Sequence, residues 1–222
     1  MRLIVEDLSC VRGGRRVFEG AGFEIEAGAF AALRGPNGSG KSTLLRAMCG
    51  LVGVEDGDVR LGDASLRSGR DALQEQILYA GHLDAVKPQM TVSENLDFWR
   101  RFYSGRETTA EVLKTFSLDH IADAPAAYCS AGQKRRLGLA RLAVVDRPVW
   151  LLDEPTVSLD IANVAVFADL IARHCAEGGI ALVATHVDLG RAPDLEIRME
   201  PFQSSAKTAG EVDPFLAEGA FS

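Results

Sequence analysis

The stretch that most constrains this chain is Gly35-Pro36-Asn37-Gly38-Ser39-Gly40-Lys41-Ser42, followed by Thr43. It comes straight after the wholly apolar run Ala29–Leu33. It opens a segment, Lys41–Cys49, that reads as a helix with Gly50 as its C-terminal cap. A short run without polar residues marks a strand buried on both faces, as in a parallel sheet covered by helices. Strand, glycine-rich loop and helix in that order fit the G-x-x-x-x-G-K-[ST] phosphate-binding pattern. The chemistry explains the spacing. Glycines let successive backbone N–H groups turn inward around phosphate oxygens, and the helix N-terminus adds the positive end of its dipole. Lys41 is placed to reach the β- and γ-phosphates, and the Ser42 hydroxyl to ligate Mg2+. The alternative is a glycine-rich turn with an exposed lysine, and the flanking strand and helix weigh against it.

A second apolar run, Val149–Leu152, ends in two carboxylates, Asp153 and Glu154. Ligands of open parallel sheets gather at the carboxyl ends of strands, which brings this pair near the phosphate loop. Asp153 is expected to hold Mg2+ through a water, and Glu154 to align or deprotonate an attacking water. His186 follows a third buried run, Ile180–Ala184, and Thr185. An imidazole there can hydrogen-bond a γ-phosphate and the water. A single histidine after a strand is as a rule structural, so its weight comes from its company.

Alternation over Arg2–Leu8 and Gly22–Glu26, with turns at Gly13-Gly14 and Ala27-Gly28, predicts short N-terminal strands. Three capping boxes open helices in the middle: Thr91–Glu94 before Asn95–Tyr103, Thr108–Glu111 before Val112–Phe116, and Ser130–Gln133 before Lys134–Val145. They predict an inserted helical subdomain over about 84–147. Phe98, Trp99, Phe102 and Tyr103 are expected in its core, with exposed ring edges for a partner helix as the alternative. The run Lys134–Arg136 reads as a solvated helix face. Asp160 caps a helix through about Ala176, stopped by Gly178-Gly179. The fold class expected is α/β: a P-loop NTPase (RecA-like) core with a mainly parallel sheet, an N-terminal antiparallel β subdomain and the helical insertion. Residues 1–202 form one domain on this reading. Residues 203–222, rich in Ser, Ala, Gly and Glu, form a weakly ordered tail.

Composition removes other classes. With 24 Lys and Arg against 31 Asp and Glu the net charge is −7, and 47% of residues are hydrophobic, so disorder is not expected. Residues 1–150 carry 20 basic and 19 acidic residues and residues 151–222 carry 4 and 12, so no nucleic-acid partner is expected. No stretch has the ~20 apolar residues of a span, and the first ten residues lack a secretory signal's apolar run. A membrane role then comes through a partner. Cys10, Cys49, Cys129 and Cys175 show no C-x-x-C spacing and read as reduced thiols.

Cys129-Ser130-Ala131-Gly132-Gln133 lies 20 residues before Val149, and Lys134-Arg-Arg-Leu-Gly-Leu-Ala-Arg141 continues it. This resembles the L-S-G-G-Q signature of ATP-binding-cassette (ABC) ATPases. With Gly35–Ser42, Val149–Glu154, Ser158-Leu159-Asp160 and His186 in the family's order, the resemblance covers about residues 2–199. It implies ATP hydrolysis by a head-to-tail homodimer. Ser130, Gly132 and Gln133 of one copy would contact the γ-phosphate held by Lys41 of the other, and Asp160 would touch the partner's site.

Departures from the family pattern narrow the resemblance. Where an aromatic residue usually stacks on adenine stands Arg12, whose planar guanidinium can still stack. His82 replaces the glutamine that commonly touches Mg2+ and faces the transmembrane partner, which would make coupling pH-sensitive. Cys129 replaces a leucine and reads as packing. Gly81-His82, Lys87–Leu96 and the Ser-Ala-Gly-Gln signature in one short cassette look like the ATPase subunit of the cytochrome c maturation system, the haem-exporter ATP-binding family. That likeness implies membrane permease partners, haem as an indirect partner, and a peripheral place on the cytoplasmic face of the bacterial inner membrane. The rivals are a cassette of another exporter, a P-loop phosphotransferase and a DNA-associated ABC ATPase.

Overall fold

The computed structural model describes residues 1–81, 84–103, 105 and 107–202. Two sheets organise it. β1 (Arg2–Arg12) and β2 (Arg15–Glu26) form an antiparallel hairpin turned at Gly13-Gly14. β1 also pairs antiparallel with β4 (Asp56–Leu61), and its Leu3, Val5 and Leu8 pack into the core, wholly or almost wholly buried. Both strands run longer than the expected Arg2–Leu8 and Gly22–Glu26. Bulges near Leu8 and Cys10 break the alternation on which those bounds rested.

β3 (Phe30–Arg34) enters the second sheet and α1 (Lys41–Met48) leaves the phosphate loop. β4 (Asp56–Leu61) and β5 (Ala64–Ser65) return the chain to the first sheet, giving the order β2-β1-β4-β5. After α2 (Arg70–Gln74), β6 (Ile77–Ala80) joins the second sheet. α3 (Val92–Phe102), α4 (Thr109–Thr115) and α5 (Ala131–Val144) follow and pack on one another. β7 (Val149–Asp153), α6 (Ile161–Ala176), β8 (Ile180–Ala184) and β9 (Leu195–Arg198) complete the sheet in the order β6-β7-β8-β3-β9. Every strand pair in that sheet is parallel. The class is therefore α/β, with a separate antiparallel sheet near the N-terminus, as expected.

Burial explains the apolar runs. Every residue of β7 and β8 is buried, and Phe30, Ala31, Ala32 and Leu33 of β3 are at most 2% exposed. Each fully buried large apolar side chain stabilises the fold by about 1.5–3 kcal/mol relative to exposure. Residues of β1 and β3 with α1 form one core on one face of the parallel sheet. α3 to α6 with the alternate residues of β7 and β8 form another. The four cysteines are buried and free.

The helix starts follow the capping chemistry. Thr91 and Ser130 make complete reciprocal boxes with Glu94 and Gln133. At Thr108 the hydroxyl accepts from the Glu111 N–H and donates to the Glu111 carboxylate. Two expectations do not hold as stated. Only some of the aromatic residues at the end of α3 join the core: Trp99 and, just past the helix, Tyr103 are half-buried and pack against it, whereas Phe98 is half-buried outside it and Phe102 is 68% exposed. They stack along the helix, with Lys87 Nζ over the Phe98 and Trp99 rings. Nor is Lys134–Arg136 a solvated face, because Arg135 is 6% exposed. The tail over 203–222 lies outside the described residues.

Candidate active site

β3 ends at Arg34 and the chain wraps into the loop Gly35–Gly40. Gly35 has φ +152° and Gly40 φ +99°, values that side chains rarely allow. A Cβ at Gly35 would stand 2.7 Å from Ser39 Oγ and 3.0 Å from Met199 Cβ, and one at Gly40 would stand 3.0 Å from Val17 Cγ1. Val17 of β2 and Met199 after β9 therefore press the loop from outside. Lys41, at the first turn of α1, is buried. Its ammonium donates to the carbonyls of Gly35 (2.7 Å) and Pro36 (3.1 Å). A lysine so bound is pre-aimed along the loop that carries it.

β7 delivers the carboxylates. Asp153 is 3% exposed and its Oδ1 accepts from Ser42 Oγ at 2.9 Å. Its Oδ2 accepts from the Tyr79 hydroxyl at 3.2 Å, and Tyr79 Oη in turn accepts from Arg46 Nε at 3.0 Å. Burial, more than any other cause, pushes the Tyr79 phenol up from its ordinary value, so it remains a donor at neutral pH. The oxygens of Ser42 and Asp153 stand together, and hard oxygen donors of this kind suit Mg2+. Glu154, the next residue, sits at φ +48°, with its N–H donating to Ala184 O at 2.8 Å.

β8 delivers the imidazole. Thr185 is 2% exposed; its carbonyl accepts from Arg34, and its hydroxyl bonds Thr156 at 3.1 Å. This fixes the backbone just before His186. His186 Nε2 lies 3.3 Å from Lys41 Nζ and 3.4 Å from Glu154 Oε1. Loop, acidic strand end and histidine, far apart in sequence, thus meet at the carboxyl ends of β3, β7 and β8.

The remaining expected residues lie apart. Ser130 and Gln133 bond each other in their capping box, and Gly132 is half-buried against the 157–160 turn, where a Cβ would meet Ser158 O at 3.8 Å. Asp160 is exposed and accepts from the backbone and side chain of Asn163, which hold its carboxyl below the usual range. Arg12 is exposed at the end of β1. His82 lies outside the described residues. Sequence reading missed Tyr79, Arg46 and Arg135: nothing in their local spacing distinguishes them, and only the tertiary fold brings them to the acidic strand end.

A cavity of about 420 Å³ lies elsewhere, at the amino ends of β7 and β8 beside Pro148, Trp150 and His174. The phosphate loop needs no such hollow, since backbone N–H groups on a rim suffice to hold phosphate. Among the described residues no helix is long and apolar enough to cross a membrane.

Comparison with known proteins agrees with this geometry. The family model described as "ABC transporter" matches residues 18–157. The cytochrome c biogenesis ATP-binding export protein CcmA of Nitrobacter winogradskyi is 52% identical over 195 residues, covering 86% of this chain and 95% of that protein. The protein of the same name from Paracoccus denitrificans is 49% identical over 204 residues, covering 91% of each. A solved structure described as the ATP binding subunit of an ABC transporter superposes with a TM-score of 0.75 at 25% identity, covering 84% of this chain and 80% of that one. The chain belongs to the ABC transporter family as an ATP-binding, ATP-hydrolysing subunit, and within it to the group of cytochrome c biogenesis ATP-binding export proteins.

Proposed function

We propose that the chain hydrolyses ATP to ADP and phosphate at the meeting point of Lys41, Glu154 and His186, and does so for a membrane exporter of cytochrome c biogenesis. One observation carries the reading: a cation, an imidazole and a carboxylate converge, with His186 Nε2 3.3 Å from Lys41 Nζ and 3.4 Å from Glu154 Oε1. The backbone of Gly35, Pro36, Asn37, Gly38, Ser39 and Gly40, with Ser42 and Thr43, cradles the phosphates. Lys41 moves its ammonium from its own loop's carbonyls to the β- and γ-phosphates. Ser42 and Asp153 would hold Mg2+, which supplies charge neutralisation on the phosphate oxygens. Glu154 aligns the attacking water and takes its proton, and His186 donates to the γ-phosphate. Arg12 faces the adenine, and His82 replaces a metal-touching glutamine.

A second copy completes the site in this proposal. Ser130 caps α5 and Gly132 and Gln133 lie in its first turn, where the N–H groups beyond those taken by the capping box suit an anion, and Asp160 lies on the adjoining turn. Around them Tyr128 (85%), Val157 (55%) and Ile161 (90%) are exposed, an apolar rim suited to burial against a partner. The relatives' names supply export and cytochrome c biogenesis. The resemblance read from the sequence adds permease partners, haem as an indirect partner and the cytoplasmic face of the inner membrane.

The test is phosphate release by the full chain with its membrane partners. Glu154→Gln should retain ATP, fall to a small residual turnover and elute as a dimer with ATP. Wild-type turnover by a monomeric Glu154→Gln would refute the mechanism, and a phosphorylated acceptor in place of free phosphate would point to phosphotransfer. Pull-down from detergent-solubilised membranes, with absorption spectroscopy for haem, tests the exporter assignment.

A further inference from the structure

We infer that Arg135 is a positioning residue for Glu154, tying the turn after β7 to α5 and to the segment after β6. The inference rests on the role proposed for Glu154. Arg135 is the buried member of an otherwise more exposed basic run. Its guanidinium donates from Nη2 to Glu154 O (2.6 Å), from Nε to Pro155 O (3.1 Å), and from Nη1 to both Gly81 O (3.3 Å) and Asp84 Oδ1 (2.9 Å). A planar fork with five donors can hold four acceptors on two separate segments at once, and a lysine ammonium cannot span them.

The bond to Glu154 falls where the backbone needs support. At φ +48° Glu154 is in the left-handed region that residues with side chains seldom occupy. Its N–H is fixed by Ala184 O and its carbonyl by Arg135, so the direction of its Cα–Cβ bond, and hence of its carboxylate, is set from both sides. A second observation fixes the other end. Gly138 lies one turn along α5, and a Cβ there would stand 2.8 Å from Asp84 O and 2.9 Å from Asp84 Cβ. The bare glycine lets α5 lie directly on Asp84, which brings that carboxylate within reach of Arg135. A shift of α5, whose first turn carries Ser130–Gln133, or of the segment after Gly81 therefore moves the Glu154 carbonyl through one rigid group.

The test compares Arg135→Lys, Asp84→Asn and Glu154→Gln in the full chain, measuring kcat for Mg-ATP, equilibrium binding of a fluorescent ATP analogue, and thermal unfolding. Misplacing a catalytic group by ~1 Å costs about a hundredfold in rate. Arg135→Lys should therefore lose about that factor in kcat with nucleotide affinity held within about twofold. Combined with Glu154→Gln it should fall no lower than Glu154→Gln alone, because both act through one carboxylate. Wild-type kcat in Arg135→Lys, a parallel loss of affinity and kcat, or a further fall on top of Glu154→Gln overturns the inference. Should Arg135→Lys unfold at the assay temperature, Asp84→Asn decides. It keeps the three carbonyl bonds and should lower kcat severalfold at unchanged affinity, and wild-type kcat there also overturns the inference. An inert Glu154→Gln beside an active Arg135→Lys defeats this inference alone. An active Glu154→Gln defeats the underlying role and the inference with it.

Discussion

Ser42 Oγ donates to Asp153 Oδ1 at 2.9 Å, joining the first turn of α1 to the last residue of β7. With Tyr79 on Oδ2, both oxygens of this buried carboxylate have partners. Asp153→Asn keeps the shape and removes the charge that a divalent cation needs. A metal on phosphate oxygens supplies several kcal/mol, so turnover should fall by about 10²–10³-fold while metal-free nucleotide binding persists. A magnesium titration of phosphate release checks this. A variant with the wild-type midpoint and rate would show that Asp153 is not a metal residue.

Tyr79 is the middle of a relay from Arg46 to Asp153. Tyr79→Phe leaves the ring in place and removes one bond to a carboxylate and one from a guanidinium. A hydrogen bond to a charged group contributes about 1.5–3 kcal/mol. For a net loss equal to one such bond, the melting temperature in a chain of this size should drop about 3–12 °C, at ~2–4 °C per kcal/mol. Calorimetry of the two proteins is the measurement, and an unchanged melting temperature would mean the relay is not stabilising.

The parallel sheet was legible because burial on both faces writes itself as unbroken apolar runs. Phe30–Leu33, Val149–Leu152 and Ile180–Ala184 could hardly be read as anything else. β4, β6 and β9 were not legible. β4 carries charged residues between its few buried ones, β9 does so at the edge of the parallel sheet, and Ile77–Ala80 is too short to show a period. The loop, the acidic strand end and His186 could be named from local chemistry, because each follows a strand. Arg135 could not. A basic run on a helix looks solvated until the fold lays Asp84 and the Glu154 carbonyl over it. Phe98 and Phe102 misled for the opposite reason: helical spacing shows which residues share a face, not what covers it.

His174 gives the fold a pH dependence. Its ring stacks on Trp150 with centroids 3.7 Å apart, and burial holds its pKa below the ordinary histidine value. The unfolded chain therefore takes up this proton first. The stabilisation from neutral His174 is complete above the unfolded value of about 6.5 and is lost as pH falls through the lower folded value. The melting temperature should fall between about pH 7.5 and pH 5.5. His174→Phe, which preserves the stack, should flatten that part of the profile. An identical profile in the variant would place the dependence on other groups.

The shared site is tested most directly by mixing two inactive proteins. Lys41→Ala removes the ammonium that holds the phosphates. Gly132→Asp puts a carboxylate where the partner's γ-phosphate would bind. The second variant should fold, since a Cβ at Gly132 meets only Ser158 O at 3.8 Å and an acid near a helix N-terminus is favoured. In a head-to-tail pair of the two, one pocket has both lesions and the other has neither. If the two pockets fire independently, random pairing should return about a quarter of wild-type turnover. If they fire only together, either variant added to wild type should depress activity beyond simple dilution. A mixture that neither recovers activity nor suppresses wild type would mean that Lys41 and Gly132 never serve the same nucleotide.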